Sequence, residues 1–294
     1  MWLILAFVSA ACLGFYDTSK KASLRDNSVL PVLFLNAVFS TLIFSPFLID
    51  DIGNFGWFET PSGTAEAHLL VVLKAVIVLS SWICGYFGLK HLPLSIVGPI
   101  NATRPMLVLV GAMLFFGERL NLYQWTGVIL AITSIFLMSR AGKKEDIDFK
   151  SNKWIWCVGL ATLLGALSGL YDKFVMKSLS PMFVQSWFNL YQLLIMSVIC
   201  GLIWYPKRHS TTPFVWRWTI PLISVFICIG DFAYFTSLSD PDSMISVVSL
   251  VRRSSVIVSF ACAVIFFKER NLRAKLIDLA IILLGMAFIW IGTN

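Results

Sequence analysis

The stretch SIVGPINATRPMLVLVGAMLFFGERLN, residues 95–121, is an apolar run long enough to cross a bilayer, yet it carries Asn101 and Arg104 near its middle. A second stretch, SVVSLVRRSSVIVSFACAVIFFKERN at residues 246–271, repeats this plan with two adjacent arginines at mid-span. Both stretches carry the motif FF-x-E-R near their end, about 150 residues apart. The matching order of these features indicates an internal duplication of the chain.

The composition excludes a water-soluble globule. Hydrophobic residues make up 58% of the 294 residues and charged residues only 13%, against about a quarter charged in soluble domains. At about 20 residues per span, the length allows roughly ten spanning helices. The opening segment MWLILAFVSAACLG has no Lys or Arg ahead of its apolar core, so we interpret it as the first span rather than a signal peptide.

Apolar runs bounded by Pro, Gly, Asp or basic clusters define the predicted spans. Their approximate bounds are 2–19, 31–49, 69–88, 94–116, 121–139, 154–177, 183–204, 218–238, 243–267 and 272–292. The predicted fold is an all-α integral membrane protein with ten transmembrane helices. A first five-helix repeat at 1–139 and a second at 154–294 are separated by a charged linker at 140–153.

The first helix of each repeat carries the same short pattern, G-x-Y-D, which ends at Asp17 in one copy and at Asp172 in the other. Because each repeat has an odd number of helices, the second must enter the membrane from the opposite side. Inverted repeats of this kind place substrate sites near the midplane, around a central cavity between the halves and in interrupted helices.

The distribution of basic residues predicts the orientation. Sixteen Lys and Arg residues fall in the odd-numbered connections, and four fall on the other face, namely Lys74, Arg119, Lys173 and Lys177. The positive-inside rule then places the odd connections in the cytoplasm and both termini outside. The net charge of +7 is thus a topological signal, and no nucleic acid is expected as a partner. The expected location is the plasma membrane, with the bacterial inner membrane favoured.

Two five-helix halves, each with a fourth helix ending in FF-x-E-R before an amphipathic turn and a fifth span, resemble the EamA-type members of the drug/metabolite transporter superfamily. The resemblance implies a ten-helix secondary transporter that moves small organic metabolites by alternating access, with helices 4 and 9 among those lining a central cavity. Members of this family are expected to keep both termini in the cytoplasm, whereas the charge distribution predicts the reverse.

Arginine is the residue type that points to the site. One arginine at the centre of a spanning helix costs about 2.5–3.5 kcal/mol, so Arg104, Arg252 and Arg253 are expected to face a wet cavity. Their planar guanidinium groups suit the carboxylate or phosphate of an anionic or zwitterionic substrate. Alternatively, the arginines pair with intramembrane carboxylates or backbone carbonyls and hold the halves together. Arg253 ranks below Arg252 because it lies about 100° further round the helix.

Other polar residues are candidates for the same site. Pro105 leaves the carbonyl of Asn101 without a helical partner, which predicts that Asn101 belongs to the site. The carboxylates are expected to couple or gate transport, or to form simple ion pairs; they are Asp17, Asp172 and Asp231. Tyr16 and Tyr171 are expected either to contact the substrate or to serve as packing residues.

Two helix starts are also predicted. Glu118 and Glu269 should each cap the helix that follows in sequence, because a carboxylate is favourable near a helix N-terminus. Asp240 is predicted as N-cap, and Pro241 as first residue, of the helix that carries Arg252.

Competing functions follow from the same residues. The acids and aromatics would also suit a carrier for cationic or aromatic compounds. A membrane-embedded enzyme would need a nucleophile, metal or acid–base set at one depth, and no His lies within a predicted span. The six cysteines form no CxxC pair, so neither a metal nor a cofactor is expected. The expected partners are a small-molecule substrate and the lipid bilayer, and a homodimer is compatible with the sequence.

Overall fold

The computed structural model describes residues 1–53, 55–58, 63–91, 100–101, 103–140, 152–210, 212–255 and a few positions between 258 and 292. Regular structure within these ranges is helical throughout, without strands. The described α-helices are α1 (Trp2–Leu24), α2 (Val29–Gly53), α3 (Ala65–His91), α4 (Arg104–Phe116), α5 (Leu122–Arg140), α6 (Lys153–Met176), α7 (Pro181–Ile199), α8 (Thr219–Ser239) and α9 (Ile245–Arg253). A π-helical turn at Cys200–Trp204 extends α7.

The chain is a multi-pass membrane protein. Six helices of the described part are long and apolar enough to cross a bilayer: α1, α2, α3, α6, α7 with its extension, and α8. Seven predicted spans coincide with α1, α2, α3, α5, α6, α7 and α8. The predicted spans 94–116, 243–267 and 272–292 lie partly outside the described residues, and the linker 140–153 lies almost wholly outside them.

The fourth helix of the first half begins next to its arginine. Thr103 is the N-cap of α4, and Pro105 lies in the first turn, where its missing N–H is not needed. The interruption therefore falls before Arg104, and Pro105 starts a helix rather than kinking one. α4 ends at Gly117, whose φ of 65° is a left-handed conformation that glycine adopts without strain.

The predicted cap of α5 is wrong. Asn121 and Gln124 cap this helix reciprocally, since each side-chain oxygen accepts a hydrogen bond from the other residue's backbone N–H, at 2.9 and 3.0 Å. Glu118 instead accepts from the backbone N–H groups of Ile245, at 2.6 Å, and Ser246, at 3.2 Å. It therefore caps α9 in the other half, where α9 leaves N–H groups unpaired. Its counterpart Glu269 lies outside the described residues.

The predicted start of α9 is also wrong. Met244 is the N-cap position and Ile245 the first helical residue. Asp240 and Pro241 belong to the preceding turn, where a carboxylate oxygen of Asp240 accepts a hydrogen bond from the N–H of Asp242 at 3.1 Å. With Glu118 supplying acceptors from another part of the chain, α9 needs no local cap.

The packing of the described helices relates the two halves. α1 packs on α8, and α3 packs on α6, so the first helix of each half contacts the third helix of the other. The contacts of α2 with α8 and of α4 with α6 have counterparts in α7 with α3 and α9 with α1. α2 also meets α7, and α4 meets α9. These contacts correspond when the halves are exchanged.

The main apolar core draws side chains from both halves, among them Ala6, Val71, Val108, Phe235 and Val248. Most of these are small or β-branched, and each is at most 2% exposed. Small side chains allow helices to approach closely, which is how helices associate in lipid. The site described below therefore lies in a tightly packed bundle.

Three residues assigned by sequence to loops or to the non-cytoplasmic face lie inside helices. Lys74 is in the middle of α3 and Lys173 is in α6, and the two are only 2% and 5% exposed. His68, predicted in a loop, lies in the first turns of α3. Because the two lysines belong to helices and not to the non-cytoplasmic connections, the excess of Lys and Arg in the odd-numbered connections is larger than the sequence count. The orientation itself stays a prediction.

Candidate functional site

A cavity of about 390 Å³ lies between the halves, within the size range of small-molecule sites. Its wall includes residues of α1, α3, α4, α6, α7, α8 and α9. Five cationic side chains line it, namely Lys20, Lys74, Arg104, Arg252 and Arg253. Three carboxylates line it as well, namely Asp17, Asp172 and Asp231.

The structure brings eight of the nine predicted site residues to this cavity. These are Tyr16, Asp17, Asn101, Arg104, Asp172, Asp231, Arg252 and Arg253. Tyr171 is the exception, because its hydroxyl donates a hydrogen bond to the carbonyl of Leu70 at 3.0 Å. It therefore ties α6 to α3 and is absent from the cavity wall.

Arg252 has a carboxylate partner. Its Nη2 donates to Oδ1 of Asp231 at 2.8 Å, and its guanidinium carbon lies 3.9 Å from the centroid of the Tyr234 ring. Both contacts are local to the second half. The expected alternative of arginine–carboxylate pairing thus applies to Arg252, but this pair does not join the halves.

Arg104 is held differently. Its Nη2 donates to the backbone carbonyl of Gly165 at 2.6 Å, and it forms no ion pair with any described residue. A Cβ at position 165 would lie only 2.7 Å from the guanidinium carbon of Arg104. Glycine at this position therefore lets the guanidinium rest against α6. One hydrogen bond uses one of the five N–H donors of a guanidinium group.

Arg253, which the sequence ranked below Arg252, lines the same cavity. It makes no hydrogen bond or ion pair within the part of the chain that the structure describes. The positive charges of Arg104, Arg252 and Arg253 are close enough to repel one another. A compact cationic cluster is the result.

Lys74 is the site residue that the sequence analysis missed. Its ammonium forms an ion pair with Asp172, and its Nζ lies 4.6 and 4.4 Å from the ring centroids of Phe188 and Phe235. The aromatic faces add cation–π attraction to the pair. A lysine within an apolar span is as costly as an arginine, so the signal that singled out Arg104 was present here too.

Asp17 and Asn101 complete the polar wall. Asp17 is the exposed carboxylate of the three, and it has no ion pair with the described residues. Lys20, one turn further along α1, has its ammonium 5.4 Å from the centroid of the Tyr16 ring. Oδ1 of Asn101 lies 2.9 Å from the hydroxyl oxygen of Thr162 in α6. Asp17 is thus open to the cavity, whereas Asp172 and Asp231 are paired.

Residues 1–140 match the model of the EamA-like transporter family. The match covers 140 of the 294 residues, just under half of the chain. The resemblance recognised from the FF-x-E-R motifs and the helix plan is thereby confirmed. Asn101 and Arg104 lie within the matched EamA-like region, and the Arg252–Asp231 pair lies in the other half.

Two curated relatives share a shorter segment with this EamA-like chain. Both are named "Probable 4-amino-4-deoxy-L-arabinose-phosphoundecaprenol flippase subunit ArnE", and they come from two different strains of Yersinia pseudotuberculosis. Identity is 43% over 51 residues, which is 17% of this chain and 45% of the relative. The match therefore spans less than half the length of these curated relatives.

A solved structure, described as "Crystal structure of protein", is similar over nearly the whole chain. The similarity covers 98% of this chain and 96% of that one, with a TM-score of 0.75 and 13% sequence identity. At this identity the likeness concerns the fold alone.

Proposed function

We propose that this protein is a secondary active transporter that moves a small anionic or zwitterionic organic metabolite by alternating access. The observation that carries the proposal is the cluster of Arg104, Arg252 and Arg253 on one cavity between the halves. Guanidinium groups recognise carboxylates and phosphates by paired hydrogen bonds. The EamA-like match supports a membrane transporter rather than an enzyme.

We further propose that the fold is a ten-helix inverted repeat. The contacts that correspond when the halves are exchanged, such as α1 on α8 and α3 on α6, support this arrangement. In such folds the halves rock around a fixed central site and expose it to each side in turn. The interruptions next to Arg104 and after Arg253 would then place both arginines at the pivot.

Substrate binding would begin at the arginines that have no carboxylate partner among the residues that the structure describes. Arg104 and Arg253 supply free donors, while Asn101 adds a polar contact from the start of the same interrupted segment. The paired carboxylates Asp172 and Asp231 would act in coupling or gating. A bound anion would compete with Asp172 for Lys74 and with Asp231 for Arg252. It would thereby change which charged groups face the cavity.

A carrier for organic cations fits the cavity less well. Two of the three carboxylates described on its wall are already paired with cations, which leaves Asp17 as the single open carboxylate among the described residues. Aromatic side chains do line the wall, including Trp82 and Phe188, so an aromatic group on an anion is compatible with it. The Yersinia relatives are named for a phosphate-bearing lipid, which a cationic site would also suit, and polyprenyl phosphate therefore belongs among the test compounds.

The experiment is a thermal-stabilisation screen of the purified protein. A compound that binds only the folded protein raises its melting temperature, and the stabilisation grows with the logarithm of one plus its concentration over Kd. We expect organic acids, amino acids or phosphate esters to stabilise the protein, and the best compound to be transported into proteoliposomes. Stabilisation by quaternary amines and not by any anion would overturn the proposal.

We also propose that both termini lie outside the cytoplasm of a plasma membrane. The basic connections support this orientation, although related transporters are expected to have the opposite one.

A further inference from the structure

The charges on the described cavity wall do not cancel. Five cationic side chains against three carboxylates leave two positive charges in excess. Lys74 is neutralised by Asp172, and Arg252 by Asp231. Lys20 and Asp17 are opposite in charge and lie one turn apart on α1, so the excess equals the charges of Arg104 and Arg253.

This excess is expensive at membrane depth. Unpaired charges removed from bulk water are destabilising, and the guanidinium groups repel one another. Arg104 and Arg253 also retain N–H donors that no described carboxylate accepts. A ligand that brings two negative charges would cancel the excess and satisfy these donors together.

We propose that the transported substrate is a dianion, either a dicarboxylate or a phosphomonoester, held between Arg104 and Arg253. This inference rests on the transport function proposed above. A monoanion would leave one positive charge uncompensated. A zwitterion would leave both, and its ammonium group would have to be placed against Asp17, within one turn of Lys20.

The first test compares ligands that differ by one charge. Malonate, succinate and glutarate cover different separations of two carboxylates, and each is compared with its monoamide. Ethyl phosphate is compared with diethyl phosphate at pH 8, where a monoester carries two negative charges because its second pKa is about 6. Melting temperatures of the purified protein are recorded against ligand concentration. We expect at least one dianion to act at a concentration tenfold or more below that of its singly charged partner.

The two sources of dianion are separated by the same experiment. Stabilisation by a diacid of one chain length identifies a dicarboxylate site, whereas stabilisation by ethyl phosphate and not by the diacids identifies a phosphomonoester site. Either result supports the proposal.

Charge variants of the cavity provide the second test. Arg253→Gln should lower the preference for dianion over monoanion at least tenfold, and Arg253→Lys should restore most of it. Asp17→Asn removes the open negative charge, so it should leave dianion binding unchanged or tighter. For a zwitterion bound through Asp17, the same variant would weaken binding. Arg208→Gln, on an exposed turn, is the matched control. It should change neither the affinity for the dianion nor the preference for dianion over monoanion.

The outcomes separate this inference from the proposed function. If no anion or amino acid stabilises the protein, the proposed function itself fails. If monoamides or amino acids bind as well as the diacids and phosphomonoester, or if Asp17→Asn weakens binding, only the dianion proposal is overturned. Melting temperatures without ligand show whether each variant is folded before its affinity is compared.

Discussion

At the scale of single residues, Arg104 and Arg252 differ in their partners, and this difference predicts different phenotypes. Arg104 donates to a backbone carbonyl, so Arg104→Gln leaves no buried counter-ion behind. Charge-assisted hydrogen bonds are worth about 1.5–3 kcal/mol, so we expect anion affinity to fall about ten- to a hundredfold at a nearly unchanged melting temperature. Arg104→Lys should recover only part of the affinity, because it lacks the planar fork. Unchanged affinity in an unstable Arg104→Gln protein would contradict the assignment.

Arg252→Gln should lower both affinity and melting temperature. It leaves Asp231 without its counter-ion. Removing one member of a fully buried pair costs about 3–5 kcal/mol, and this pair, with side chains 20% and 15% exposed, should cost less than that. Adding Asp231→Asn in the same chain should restore the melting temperature but not the affinity. Calorimetric melting and ligand titration of the single and double variants measure both effects. A single variant as stable as the wild type would rule out this role of the pair.

Asp172 should matter more for transport than Asp17, although the two occupy matching places in the repeat. Asp172 is buried and paired with Lys74, whereas Asp17 is exposed to the cavity. Asp172→Asn therefore leaves a buried lysine uncompensated, and Asp17→Asn does not. Proteoliposome flux at equal protein levels gives the comparison. Equal losses of flux in Asp17→Asn and Asp172→Asn would contradict this asymmetry. The double variant Lys74→Gln/Asp172→Asn should recover the stability lost in Lys74→Gln alone or in Asp172→Asn alone.

At the scale of helices, α9 depends on a residue 127 positions away in sequence. An N-cap contributes about 0.5–2 kcal/mol, so Glu118→Ala should lower the melting temperature by a few degrees. Glu66→Ala, which removes an exposed carboxylate from the first turn of α3, is the control and should have little effect. If the two variants melt alike, Glu118 does not stabilise α9.

The sequence predicted seven of the described helices and eight of the residues that line the cavity, and the charges within apolar runs carried much of this. A charged residue in an apolar run is a strong signal, because lipid penalises it wherever it lies along the helix. Arg104 and Arg252 were found in this way, and Lys74 was missed although it produced the same signal. The cap of α5 was present in the local pattern Asn121-x-x-Gln124, whereas the cap of α9 could not be found locally, because Glu118 lies 127 positions before Ile245.

At the scale of the whole molecule, orientation remains the prediction with the largest consequence for function, because it fixes which side of the membrane each end of the cavity faces. A reporter that fluoresces only in the cytoplasm, fused after Asn294, should stay dark, since the basic connections are held inside. The same reporter inserted in the connection after α7 should be bright. A bright C-terminal fusion would return the protein to the orientation expected for its family.

The contact between Arg104 and Gly165 has a consequence for how such a site could evolve. Gly165 supports the guanidinium from behind, so one added methyl group would move the charge without altering its chemistry. Ligand preference could then drift through a substitution that changes no charge. A comparison of specificity among paralogues that considered only cavity-facing charges would miss this source of variation.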